Sequence, residues 1–208
     1  MAEIKNIILD LAGVVMNLNL ERDTEALAAA GLPDYMTCLR NAPLKKVLDA
    51  YLNGMITAEE FIPQIRPFCK SEATREEIHW AMDAVLDEVP VSRLELIAGL
   101  KQRYRVYLLS NIYDSAWQHA TREVEKHGYR WSDCFDRLFL SYEMKLAKPD
   151  PQIFEEVFRV TGIVPQETIY FDDTRENIEV GRSLGLHACL VPMNHLEACL
   201  EESNSIFF

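Results

Sequence analysis

Glycine is scarce in this chain, with 8 among 208 residues, and neither G-x-G-x-x-G nor G-x-x-x-x-G-K-[ST] can be read from them. Dinucleotide and nucleoside-triphosphate loops are therefore disfavoured. Cysteine is as thin: Cys38, Cys69, Cys134, Cys189 and Cys199 are odd in number, scattered and without a Cys-x-x-Cys pair. They supply neither a zinc ligand set nor a disulfide framework, and a reducing cytoplasm fits them best. His79, His119, His127, His187 and His195 lack H-E-x-x-H spacing, and no G-x-S-x-G elbow supports a serine hydrolase. Nor is there a Lys/Arg run to offset a net charge of -12, so nucleic-acid phosphates would be repelled and no nucleic-acid partner is expected. The apolar run near the N-terminus is short and stops at Asp10, which excludes a signal peptide or spanning helix there, and no other stretch reaches membrane length. Repeats and low-complexity segments are missing too.

What is present is ordinary for a globular protein: 49% hydrophobic and 26% charged residues, with 9 prolines. Such a length holds one sizeable core, or a core of roughly 130 to 150 residues carrying an inserted domain. Solvated helix faces account for most of the acidic excess, and charge alone names no partner or oligomeric state.

Short β-rich runs recur, each stopping at a polar residue or a breaker. Asn6 to Leu9 ends at Asp10, Arg105 to Leu109 at Ser110, Leu138 to Leu140 near Ser141, Thr168 to Phe171 at Asp172, and Ala188 to Val191 at Pro192. Helical spacing fills the intervals at about 92–104, 114–127, 151–160 and 175–184. Such alternation predicts an α/β fold with a parallel sheet flanked by helices, and ligands bind such sheets beyond the carboxyl ends of the strands. Asp10, Ser110 and Asp172 would gather there. The stretch from about Leu20 to Pro90 breaks the alternation, with helical patterns at 23–30, 34–53, 57–68 and 74–86 and no clear strand. Thr57 with Glu60 and Thr74 with Glu77 read as capping boxes. The expected division is therefore a core of residues 1–19 and 91–208, and an inserted helical domain over 20–90.

Taken singly, a polar strand end has a bland explanation, since Asp, Ser and Asn also close turns and cap helices. Four such sites in fixed order are harder to dismiss: Asp10-Leu-Ala-Gly-Val-Val, Ser110-Asn111, Lys148-Pro-Asp-Pro, and Phe171-Asp172-Asp173 followed by Asn177. Adjacent carboxylates at 172 and 173 would repel on a purely structural loop, whereas a divalent cation turns that repulsion into binding.

This ordered set resembles the haloacid dehalogenase-like (HAD) hydrolase superfamily over nearly the whole chain outside 20–90. Leu109-Ser110-Asn111, Lys148-Pro149-Asp150-Pro151 and Phe171-Asp172-Asp173 look most like the branch containing bacterial sugar-phosphate phosphatases. The resemblance implies a Rossmann-like sheet, a cap inserted after the first strand, and Mg²⁺-dependent hydrolysis of a small phosphorylated molecule through an aspartyl-phosphate. It casts Asp10 as nucleophile, with Asp10, the Ala12 carbonyl, Asp172 and Asp173 as metal ligands, Asp172 directly or through water. Ser110, Asn111 and Lys148 would bind the phosphoryl group, and Ser110 and Lys148 would assist catalysis. Asn177 would orient the acidic loop or simply sit in the next helix, while Lys145 is expected to be a solvated surface charge.

One departure stands out. Most phosphatases of the superfamily carry a second Asp two residues after the nucleophile, as acid for the leaving group and base for water, and here that position is Ala12. Losing general acid/base help costs about 10²- to 10⁴-fold, so ordinary esters should turn over slowly. Two rivals follow: a haloacid dehalogenase, which needs neither that Asp nor Mg²⁺, and a catalytically weakened phosphometabolite-binding protein.

Overall fold

The computed structural model describes the backbone over residues 3–207, and side chains in that range except at 35, 36, 39 and 202–207. Five strands, β1 (Asn6–Leu9), β2 (Arg105–Ser110), β3 (Arg137–Leu140), β4 (Thr168–Asp172) and β5 (His187–Leu190), form one parallel sheet ordered β3-β2-β1-β4-β5. Residues alternate between its two faces. Ile7, Leu9, Val106, Leu108, Ile169 and Phe171 pack on one side, and Ile8, Tyr107, Leu109, Tyr170 and Ala188 on the other. Because both faces are covered, the strands read as continuous apolar runs rather than as alternation. Each fully buried Ile, Leu, Val or Phe among them contributes about 1.5–3 kcal/mol relative to exposure.

Helices α1 (Leu20–Ala30), α2 (Tyr35–Arg40), α3 (Ala42–Leu52), α4 (Ala58–Ile65) and α5 (Arg75–Asp83) follow β1 without an intervening strand. Helices α6 (Val91–Leu100), α7 (Asp114–Lys126), α8 (Trp131–Cys134), α9 (Ser141–Met144), α10 (Pro151–Thr161), α11 (Arg175–Ser183) and α12 (Leu196–Phe207) then accompany the remaining strands. Both expected capping boxes form: the Glu60 and Glu77 N–H groups donate to Thr57 and Thr74 Oγ1, and each Glu carboxylate accepts from the capping residue's N–H.

The single helical pattern read over 34–53 is two helices in the structure. Pro43 has no N–H to continue α2, and its ring excludes a helical carbonyl four residues back. Asn41 instead turns the chain and starts α3, accepting from the Leu44 N–H at 3.3 Å. The helix expected to reach Tyr104 stops at Leu100, where Gln102 and Arg103 close tighter turns onto Gly99 and Leu100. Helices α8, α9 and α12 carry no expectation from the sequence.

The chain passes between the helices of 20–83 and the sheet twice, and the two passages pair with each other. Asn17 N–H donates to Glu88 O at 2.9 Å, Asp87 N–H to Asn17 O at 2.9 Å, and Asn19 N–H to Val85 O at 2.8 Å. Buried Arg93, in the first turn of α6, clamps this ribbon. Its guanidinium donates to Glu197 twice (2.8 and 2.9 Å), to Asn17 Oδ1 (2.9 Å), and to the carbonyls of Val15 (3.3 Å) and Asn194 (3.0 Å). Asn194 adds a two-way clasp on the Leu18 backbone. Among the described residues no helix is long and apolar enough to cross a membrane.

Candidate active site

Strand β1 lies at the sheet's centre, and the chain runs outward to β2 and β3 on one side before returning to β4 and β5 on the other. The crevice where such an order reverses lies beyond the carboxyl end of β1. Asp10 occupies that position, 7% exposed, its N–H extending the ladder to Phe171 O at 3.0 Å. The chain then turns tightly: Leu11 O accepts from the N–H groups of Val15 (2.8 Å) and Met16 (2.7 Å), and Gly13 adopts φ 79°. A Cβ at Gly13 would stand 2.3 Å from Asp173 Oδ2, so only glycine allows the turn and the acidic loop this close an approach. Ala12 lies on that turn.

Ser110 ends β2, buried, with a long 3.4 Å contact from its hydroxyl to Asn111 O. Lys148 arrives from the segment before α10, where burial of a lysine demands paired charge. Its ammonium donates to Asp10 Oδ1 at 2.8 Å, Asp172 Oδ2 at 2.7 Å and Leu109 O at 2.9 Å, which uses all three N–H groups. The Asn111 side-chain amide is engaged beside it. It holds the Lys148 backbone, donating to its carbonyl and accepting from its N–H, both at 2.8 Å.

Asp172 is fully buried at the end of β4. Its Oδ2 accepts from Lys148, from the Tyr170 hydroxyl and from Asn177 Nδ2 at 3.1 Å; its Oδ1 accepts from Asn177 Nδ2 at 3.0 Å and Thr174 N–H at 2.8 Å. Asp173 is half-buried and accepts from the Thr174 hydroxyl at 3.2 Å. Oxygens of Asp10, Asp172 and Asp173 lie within 4.8 Å of one another.

Three carboxylates against one ammonium leave surplus negative charge in a largely buried cluster. Burial pushes the Asp10 carboxyl up to about 7; Lys148 pulls it down, and Asp172 and Asp173 push it up again. Burial, then Asp172, raises Asp173. For Lys148, burial works to lower the pKa, but Asp10 and Asp172 outweigh it and the ammonium is held above its ordinary value. Such a cluster of hard oxygens with excess charge suits a divalent cation.

The residues singled out from sequence thus converge, with Asn111 turned onto the lysine. Lys145 is exposed, but its ammonium is engaged, donating to Gly54 O at 2.9 Å. Of the aromatics whose helical spacing in 20–90 fits a cap core better than a ligand contact, Tyr51 and Phe61 stack at 4.1 Å, Trp80 is 44% exposed, and the Tyr35 side chain lies outside the described residues. Tyr170 carries no expectation from sequence, although its position two residues before Asp172, on the same side of β4, is the signal that would have found it.

Residues 4–185 match the family described as haloacid dehalogenase-like hydrolase. A D-ribitol-5-phosphate phosphatase of Bacteroides thetaiotaomicron is 33% identical over 184 residues, which are 88% of this chain and 89% of that one. A crystal structure of a HAD family enzyme from that organism superposes with a TM-score of 0.86 at 32% identity, covering 96% of this chain and 99% of the other. The same enzyme in complex with magnesium and inorganic phosphate gives 0.80 at 33% identity over 92% and 96% of the two chains. The match over most of the chain, carried on a sheet whose central strand delivers Asp10 to Lys148 and two further carboxylates, means that this protein belongs to the haloacid dehalogenase-like hydrolases.

Proposed function

We propose that the protein is a Mg²⁺-dependent phosphatase acting on a small phosphorylated metabolite of the sugar-phosphate class, through an aspartyl-phosphate on Asp10. The observation that carries this reading is the buried cluster in which Lys148 bridges Asp10 and Asp172 beside Asp173. Its surplus of carboxylates fits the cation, which Asp10, the Ala12 carbonyl, Asp173 and, directly or through water, Asp172 would hold. When bound, the ion supplies positive charge that offsets the phosphoryl oxygens. Asp10 attacks phosphorus, forming the acyl phosphate as the ester oxygen leaves, and water then cleaves that intermediate and restores the carboxylate. Lys148 fixes positive charge where negative charge accumulates, and Ser110 donates its hydroxyl to a phosphoryl oxygen. The division into a core of 1–19 and 91–208 and a cap of 20–90 belongs to this proposal, with the cap and the turn after Asp10 selecting the substrate.

A sugar-phosphate substrate is supported by the relative named for D-ribitol-5-phosphate. That ester releases a primary alkoxide, which benefits from protonation, and Ala12 has no proton to give. The enzyme then either favours phosphates whose leaving groups need little protonation, such as an anomeric sugar phosphate, or borrows an acid from the cap or the substrate. The dehalogenase reading is weaker, because it leaves the surplus negative charge of the carboxylate cluster without a compensating cation.

Phosphate release from sugar phosphates, acyl phosphates and p-nitrophenyl phosphate, with and without Mg²⁺, tests the proposal. Turnover is expected for wild type with Mg²⁺ and its loss in Asp10→Asn. No release above the Asp10→Asn background on any substrate would sink it, and chloride release from a 2-haloacid in EDTA would favour the dehalogenase.

A further inference from the structure

Tyr170 is a fully buried phenol in a strand whose neighbours are apolar, and its ring lies among the apolar side chains on one face of the sheet. Its hydroxyl donates to Asp172 Oδ2, the same oxygen that accepts from Lys148 at 2.7 Å. The Lys148 ammonium also sits 5.9 Å from the centre of the Tyr170 ring. Phenol and lysine therefore share one carboxylate oxygen, and the lysine's other carboxylate contact is Asp10.

Asp172 itself has little freedom. A carboxylate offers about four lone-pair sites, and five hydrogen bonds from Lys148, Tyr170, Thr174 and Asn177 converge on it. Asp173, by contrast, accepts from Thr174 alone among the bonds of the described side chains. The two adjacent carboxylates thus have different work. Asp173 faces the Gly13 turn with its second oxygen, and Asp172 is an anchor for the lysine.

We infer that Tyr170 is a positioning residue: its hydroxyl fixes Asp172, and Asp172 in turn holds the Lys148 ammonium against Asp10. The inference rests on the proposed role of Lys148. An apolar side chain at 170 would fill the same space in the sheet layer but leave Asp172 held on that oxygen by lysine and Asn177. The phenol supplies a third donor that cannot swing away, because its ring is packed edge-on against Phe154 with centroids 5.4 Å apart.

Tyr170→Phe removes the hydroxyl and keeps the ring. Expected are a kcat lowered about tenfold, with KM within about twofold, as for an interaction felt in the transition state rather than in binding. Asp172→Asn alone and combined with Tyr170→Phe should give non-additive losses, because both act through one oxygen. A readout without turnover comes from ¹⁵N NMR of the lysine ammonium groups in the metal-free protein, with Lys148→Met assigning the signal. Hydrogen exchange at the Lys148 ammonium should quicken at least about tenfold in Tyr170→Phe while the melting temperature stays close to wild type. Unchanged exchange, or additive effects in the cycle, would overturn the inference. If wild type hydrolyses no phosphate but the exchange difference is present, the functional reading fails and the positioning role stands. Should Tyr170→Phe not fold, site-specific 3-fluorotyrosine at 170 keeps the shape and strengthens the donor; a displaced Lys148 signal supports the inference, and an unmoved one refutes it.

Discussion

Ala12 is one methyl group where the resemblance to the superfamily's phosphatases leads one to expect a carboxyl, and the turn around it needs no side chain at that place. Leu11 O and Gly13 set its geometry through backbone bonds. Ala12→Asp should therefore be tolerated by the fold and, on the proposed mechanism, supply the missing proton. Turnover of alkyl phosphates is expected to rise by about 10²-fold or more, while esters with good leaving groups change little. Steady-state kinetics on the two ester classes check this, and equal effects on both would refute the leaving-group account. At this scale the sequence was most legible where chemistry narrows the choice of residue. Asp10, Lys148, Asp172 and Asp173 stood out by type and order, and they converge. Asn111 did not reveal its partner, because an amide that binds phosphate and one that holds a backbone look alike in one dimension. Tyr170 was hidden for the opposite reason: in a buried strand a tyrosine reads as one more large apolar side chain.

Secondary elements with local signals were readable, and those without were not. The capping boxes at Thr57 and Thr74 form, since each depends on a side chain and a backbone three residues apart. Short α8 and α9 span one turn each, too few residues for periodicity to register. Pairing of 17–19 with 85–88 was invisible because it joins segments far apart in sequence, and so was its clamp. Arg93 is 3% exposed and uses all five of its N–H groups there. Arg93→Ala would strand two backbone carbonyls and Asn17 Oδ1, and since Glu197 keeps partial access to water, a loss of about 2–3 kcal/mol is expected. Urea denaturation reads it as a lower midpoint. Arg93→Lys should recover less than half, because an ammonium cannot reproduce the fork; full recovery would show that charge alone mattered.

Stability of the whole molecule should report the crowded carboxylates. Asp10 is raised from an ordinary carboxylate value to about 7, so between about pH 4 and 7 the native state binds a proton that the unfolded state has released. Stability contributed by that group is therefore present at low pH and is lost as pH rises through the window. In metal-free buffer, the stability of wild type relative to Asp10→Asn should fall across this range and level off above about pH 7, as followed by thermal melts. A flat difference would mean that Asp10 stays ionised throughout. Mg²⁺ replaces the proton as the compensating charge: at about one hundred times its dissociation constant it should stabilise wild type by about 2.7 kcal/mol, and less in Asp10→Asn.

The clamp at Arg93 also sets an order of events during synthesis. Asp10 and its turn are made well before their partners: Lys148 lies 138 residues later in the sequence and the clamp residue Glu197 lies 187 residues later. At about 5–20 residues per second, Asp10 waits roughly seven to forty seconds for the groups that hold it. Throughout that interval Asp10 lacks its ammonium partner, and the clamp that steadies its turn closes only once Glu197 has been made.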